Sequence, residues 1–158
     1  MRILIVGAGG VGSAAAAIAR RREFFDHLVI TDLDGARAQA AIDGLDDPRM
    51  SAAALDASDP QAIVALAQAE EIDVILNACD PRLNPPIFEA ALEAGCTYLD
   101  MACTLSEPHP ERPFEETGVK LGDAQLEASP AWERAGQLAL IGIGVEPGFS
   151  DVAARYAA

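Results

Sequence analysis

The sequence predicts an α/β protein built on a doubly wound parallel sheet. Three observations carry this. Short apolar runs alternate with helical patterns along most of the 158 residues. The first run, RILIV at 2–6, is apolar almost throughout, as a strand covered on both faces should be. It leads directly into GAGGVG at 7–12, a glycine-rich turn between a strand and a helix.

The elements follow in order. After the first strand and its turn, residues 13–22 predict a helix, with Arg20, Arg21 and Arg22 at an end where cations suit the helix dipole. HLVIT at 27–31 is the second strand. Residues 35–45 form a helix that Asp34 can cap. MSAAALD at 50–56 is a weaker third strand. Residues 59–70 form a helix with Asp59 as N-cap and Pro60 at its first position. DVILNAC at 73–79 is the fourth strand. Residues 85–94 form a helix opened by proline and closed by Gly95. TYLDM at 97–101 is the fifth strand. Residues 102–121 hold three prolines and no period, and are expected to loop over the carboxyl ends of the strands. Residues 121–136 are helical, with Ser129-Pro130 offering a second start, and QLALIGIG at 137–144 is the sixth strand. Two successive β-α-β-α-β halves with right-handed crossovers give strand order 3-2-1-4-5-6.

Composition narrows the function. The 25 acidic and 11 basic side chains leave a net charge of −14, which argues against nucleic-acid binding. The three cysteines, Cys79, Cys96 and Cys103, lack metal-ligand or C-x-x-C spacing and are expected to be reduced thiols in a cytoplasmic protein. No metal site is expected. Strand-like residues begin at Ile3, so no signal peptide is expected, and no apolar stretch suits a membrane span.

GAGGVG fits G-x-G-x-x-G at Gly7, Gly9 and Gly12, in the strand-to-helix context that gives the pattern meaning. Gly7 permits the tight turn, Gly9 admits a pyrophosphate, and Gly12 lets helix and strand pack closely. The amides of Gly10 and Val11, at the positive helix end, would face the phosphates. Asp32 follows Gly12 by twenty residues and ends the second strand, where its carboxylate can accept from the adenosine ribose hydroxyls. The same charge repels a 2′-phosphate, and Arg37 is a helical turn away. The expected cofactor is therefore NAD, with NADP possible, on a Rossmann-type fold. Asp56 and Ala57 end strand three and could border the adenine; Asp56 could equally cap the next helix. Asn77 and Ala78 end strand four and are expected beside the nicotinamide ribose. Asp100 ends strand five. It is the catalytic candidate, able to hold a substrate amine or orient a proton donor, and could equally close its strand and cap the loop. Cys103 and His109 read as a spectator thiol and a surface side chain.

These residues resemble the saccharopine dehydrogenase-like (saccharopine reductase) family. RILIVGAGGVGSAAA, TDLD and LDAS are general to dinucleotide folds. NACDPRLNPPIFEAALEAGCTYLDM and the closing GIGVEPGFSD are more particular, although Glu146 stands where members more often carry Asp. The resemblance implies an NAD(P)-dependent oxidoreductase acting on an amino-acid-derived amine or imine, of the saccharopine or lysine dehydrogenase type. It implies a nucleotide-binding domain at 1–148, with 149–158 beginning a helix toward a larger substrate and dimerisation domain, and hence a homodimeric whole enzyme. It places the turn of Glu146, Pro147, Gly148 and Ser150 near the nicotinamide. On this view the chain binds cofactor without turnover. The alternative is a non-catalytic nucleotide-sensing module of the transporter-regulator type, which would not need the long loop or the P-G-x-S-D tail. An adenylating enzyme would carry asparagine in the segment after Asp32, and GARAQAAIDGL has none.

Overall fold

A computed structural model describes residues 1–158. Its centre is a six-stranded parallel sheet in the order β3-β2-β1-β4-β5-β6. The strands are β1 (Arg2–Val6), β2 (His27–Asp32), β3 (Met50–Ala54), β4 (Val74–Asn77), β5 (Thr97–Asp100) and β6 (Ala139–Leu140). The helices are α1 (Gly10–Ala19), α2 (Gly35–Ile42), α3 (Pro60–Ala69), α4 (Asn84–Ala94), α5 (Asp123–Glu127), α6 (Ser129–Ala135) and α7 (Phe149–Ala157). The doubly wound topology is the one the alternating pattern predicts.

Alternation along β1 feeds two cores. Leu4 and Val6 join Val29, Ile75, Ile63 and Ile87 on the face covered by α3 and α4. Ile3 and Ile5 join Leu28, Ile30, Ala16 and Ala38 on the face covered by α1 and α2. Phe88, Tyr98 and Trp132 close the first core, with Phe88 centroids 5.0 Å from Tyr98 and 4.9 Å from Trp132. Caps fall where the polar residues predict. Asp34 accepts from the Ala36 amide, Asp59 accepts from Gln61 and Ala62, and Gly95 takes the left-handed conformation after α4.

Three boundaries differ most from the sequence expectation. α1 begins three residues earlier and stops at Ala19, because Arg21 and Arg22 turn back onto Ile18 and Ala19. The cation serving that end is Arg49, which lies over the Phe25 ring and donates to the Arg20 and Arg22 carbonyls. A 3-10 turn, Pro81–Leu83, precedes α4. The helical region expected at 121–136 is two pieces, α5 and α6, and α6 begins at Ser129, the second start that the sequence offers. β6 is only two residues long, since the chain beyond it is drawn onto Asp100: the Gly142 amide donates to the Asp100 carboxylate and the Ile143 amide to its carbonyl. No helix is long and apolar enough to cross a membrane. No group of three or more His, Cys, Asp or Glu side chains is arranged to hold a metal ion.

Candidate dinucleotide-binding site

The glycine loop is shaped by its own backbone. Gly7 has φ of +104°, and its amide donates to the Thr31 carbonyl at 2.9 Å. A side chain at Gly7 would also press on Cys79 Sγ. A Cβ at Gly12 would fall on the Gly7 carbonyl oxygen, so that glycine lets α1 rise directly from the turn. Gly9 differs. A Cβ there would meet only the far end of Arg37, at 3.9 Å, so its open side faces the cleft rather than protein. Gly9 is the N-cap of α1, and no side chain caps it. The first bond of the turn runs from the Ser13 amide to the Gly9 carbonyl. The amides of Gly10, Val11 and Gly12 precede it and have no acceptor within the helix. An anion at this end would meet free donors and the positive end of a ten-residue helix.

Beside the loop lies a cleft of about 300 Å³ whose walls include Gly7, Gly9, Asp32, Asp56, Ala57 and Ala78. Five of these stand at the carboxyl end of β1, β2, β3 or β4. Asp32 is fixed from both sides, accepting from the Ala8 amide at 3.1 Å and the Asp34 amide at 3.2 Å. Each oxygen keeps a further lone pair for a ribose hydroxyl. Arg37 is not remote from it. Its Nε stands 3.7 Å from Asp32 Oδ2, because α2 starts immediately and turns its first-turn side chain back over the strand end. This corrects the sequence picture of an arginine held away from the acid. Asp56 does not cap α3. It accepts from the Ser58 amide and hydroxyl, which lower its pKa, while Asp59 is the cap.

A second recess, of about 70 Å³, adjoins the first through Ala78 and Cys79. Val11, Asn77, Ala78 and Asp100 all line it, so four of the predicted residues converge there. Two of their side chains are already engaged. Asn77, 2 % exposed, donates to Asn84 Oδ1 at 2.8 Å and to the Tyr98 hydroxyl at 3.0 Å, and accepts from the Cys79 amide. Asp100, 1 % exposed, accepts from Gln125 Nε2 at 2.6 Å and from the Gly142 amide at 2.7 Å. Gln125 in turn accepts from the Thr104 amide, and Asn84 donates to the Ala102 carbonyl. This network binds the long loop, α5 and the segment after β6 to the ends of β4 and β5. Burial pushes the Tyr98 phenol well above its ordinary range.

Burial also holds the thiols in their protonated form. Burial first, then Asp32 and Asp80, raise Cys79 to about 11; burial raises Cys96 to about 11 and also lifts Cys103. All three cysteines are free. His109 accepts from the Glu111 and Arg112 amides and pairs with Glu116 at 3.2 Å, within its own loop. Sequence reasoning missed the lining roles of Arg37, Cys79 and Leu83 in the larger cleft. Arg37 was detectable, because a side chain three residues past an N-cap lies in the helix turn that faces the preceding strand end.

Residues 3–140 match the family model described as "Saccharopine dehydrogenase NADP binding domain". The chain is 32% identical over 156 residues to a carboxyaminopropylagmatine dehydrogenase of Synechocystis sp., covering 99% of this chain and 37% of that protein. It is 28% identical to a carboxynorspermidine synthase of Vibrio cholerae, covering 100% of this chain and 39% of that protein. It thus spans less than two fifths of these relatives. Among solved structures, saccharopine dehydrogenase (L-Glu forming) of Saccharomyces cerevisiae superposes with a TM-score of 0.73 at 19% identity, over 97% of this chain and 29% of that one, a likeness of fold. With a family model matched across nearly all of the sheet, the chain belongs to the saccharopine dehydrogenase NADP-binding domain family, as a Rossmann-fold NAD(P)-binding domain.

Proposed function

We propose that the chain holds the nicotinamide dinucleotide of an oxidoreductase that interconverts an amino-acid-derived amine and its imine. The observation that carries this is the juxtaposition of Gly9's open face, the unpaired first-turn amides of α1 and the fixed Asp32 carboxylate around one cleft. Gly10 and Val11 would receive the phosphates, and Asp32 the adenosine ribose. Ala57, Asp56 and the exposed Leu33 would border the adenine. The recess at Val11, Asn77, Ala78 and Asp100 would take the nicotinamide end. Hydride transfer is the chemistry that a nicotinamide held there would supply. The chain's residues hold the ring in place and keep the pocket floor rigid and dry.

The cofactor is proposed to be NAD, because Asp32 disfavours a 2′-phosphate. Arg37, beside it, offers that phosphate a cation, so the margin over NADP is narrow. Relatives named for carboxynorspermidine and carboxyaminopropylagmatine support a substrate with a secondary amine and a carboxylate. The test is a fluorescence titration of NADH and NADPH with the chain, followed by addition of saccharopine or lysine with NAD. Saturable binding of the reduced cofactor without steady turnover is expected. Absence of saturable binding to either cofactor would overturn the reading.

A further inference from the structure

A parallel sheet in a protein of this class is covered on both faces. Here only one face is covered from edge to edge. On the side of α3 and α4, Ile75 and Tyr98 are buried, and Trp132 of α6 extends the cover to Ala139 and Ile141. On the other side the cover fades across the sheet. Ile5, Leu76, Leu99 and Leu140 form one row from β1 to β6 through the strand register. Ile5 is 1 % exposed, Leu76 and Leu99 are half-buried, and Leu140 is 41 % exposed. Val74 and Thr97 are half-buried as well, and Leu138 is exposed. The helices on this side, α1 and α2, serve β1, β2 and β3, and β4 to β6 lie open.

Two further elements carry apolar surface without a partner. The first is α1, which borders the open half-face. Its ten residues, GVGSAAAAIA, include no charge. Ala16 packs on the sheet, while Val11, Ala14 and Ile18 share a different side and are exposed. Val11 reaches the recess at the ends of β4 and β5, so that side looks toward the open strands. A helix that is apolar all round belongs in an interior. The second element is α7. Phe149, Val152, Ala153 and Tyr156 stand on one side of it at helical spacing, with Asp151 and Arg155 away from them. None of its residues is buried, and Phe149, Val152 and Tyr156 are 68, 68 and 94 % exposed. A nine-residue helix draws its stability from what covers its apolar side.

We propose that α7 of a second copy of this chain covers the open half-face beside α1, and that the exchange is reciprocal, giving a twofold dimer. A helix is the element this space takes, since one laid beside α1 over β4 and β5 completes the layer that α1 and α2 begin. Two α7 stripes and the two faces under them would bury on the order of 1,500 Å² in total, the size of a stable complex. Pairing α7 only with its counterpart would leave both half-faces open. The inference does not depend on the dinucleotide reading.

The test is sedimentation equilibrium of the whole chain across a range of concentrations, with amide hydrogen exchange on the same samples. A monomer–dimer equilibrium in the micromolar range is expected, and exchange at Val152–Tyr156 should slow as the dimer forms. Val152→Glu on α7 and Ile18→Lys on α1 are both at exposed helix positions. Each is expected to weaken the dimer at least tenfold with the circular dichroism spectrum retained. Phe114→Ser removes an exposed apolar side chain from the long loop and is expected to leave the dimer unchanged. A mixture of the Val152→Glu and Ile18→Lys chains is expected to form more dimer than either alone, because one of its two exchanged contacts joins two unaltered surfaces. A monomer at every concentration overturns the proposal. So does a dimer that Ile18→Lys leaves intact, which would be α7 paired with α7, or a mixture that gains nothing.

Discussion

The two ends of the cleft are built differently. At the proposed adenosine end, between β1 and β3, the polar groups facing the open space are the first-turn amides of α1, the carboxylates of Asp32 and Asp56 and the Arg37 guanidinium, and none of these side chains is buried. At the nicotinamide end, between β4 and β6, Asn77, Asn84, Tyr98, Asp100 and Gln125 are nearly all directed at one another or at loop backbone. The first end is prepared to receive a ligand. The second is a scaffold that holds three distant segments in register. A polar residue at a strand end is therefore not by itself a reacting group. What distinguishes the two cases is whether its donors and acceptors already have partners.

The sharpest way to break this contrast is at Gly12. Gly12→Val would drive a side chain into the Gly7 carbonyl. It is expected to abolish dinucleotide binding and to destabilise the chain by about 2 kcal/mol or more, read by titration and by thermal unfolding. A variant that bound NAD normally would show that the loop is not the phosphate site.

Asp100→Asn tests the scaffold. Asparagine can accept from Gly142 or from Gln125 but must turn an N–H₂ toward the other, and a flipped Gln125 would then lose Thr104. A loss of about 2 kcal/mol is expected, or roughly 4–8 °C in Tm for a chain of this size. Unchanged stability would free Asp100 for the catalytic role that its position at the end of β5 suggests.

The same contrast explains what the sequence made legible. The glycine loop, Asp32 and the caps at Asp34 and Asp59 act on neighbours within a few residues or on an adjacent strand end, so spacing exposed them. Asp100 meets partners 25 and 42 residues away, and Asn77 meets one 21 residues away. No local pattern encodes those pairings. β6 was overextended for the same reason, since its run stays apolar to Ile143 while Asp100 bends the backbone at Gly142. Arg37 was misplaced because a one-turn separation along the chain was read as a separation in space.

Smaller effects sharpen the adenosine end. Asp32→Ala is expected to weaken NAD about tenfold, about 1.4 kcal/mol, and to narrow its margin over NADP. Arg37→Ala is expected to weaken NADP more than NAD. Parallel titrations of the two variants check both, and equal losses for both cofactors would remove the 2′-position from the argument.

The smallest effect is in pH. Cys79 and Cys96 are raised to about 11 in the folded chain from an ordinary 9. Their protonated forms favour folding fully below pH 9, and that contribution is lost as pH rises from 9 through 11. Urea midpoints should fall across that window and should fall less in Cys96→Ala. Asp47 and Asp80, held at about 2 by Arg49 and Arg82, lose their contribution from about pH 4 downward.

The measurement closest to the central claim is calorimetric titration of the chain with NAD, NADP and Mg-ATP in parallel. The account predicts one saturable site that takes NAD most tightly and NADP next, with Mg-ATP far weaker because it leaves the nicotinamide recess empty. Binding of Mg-ATP alone would contradict it.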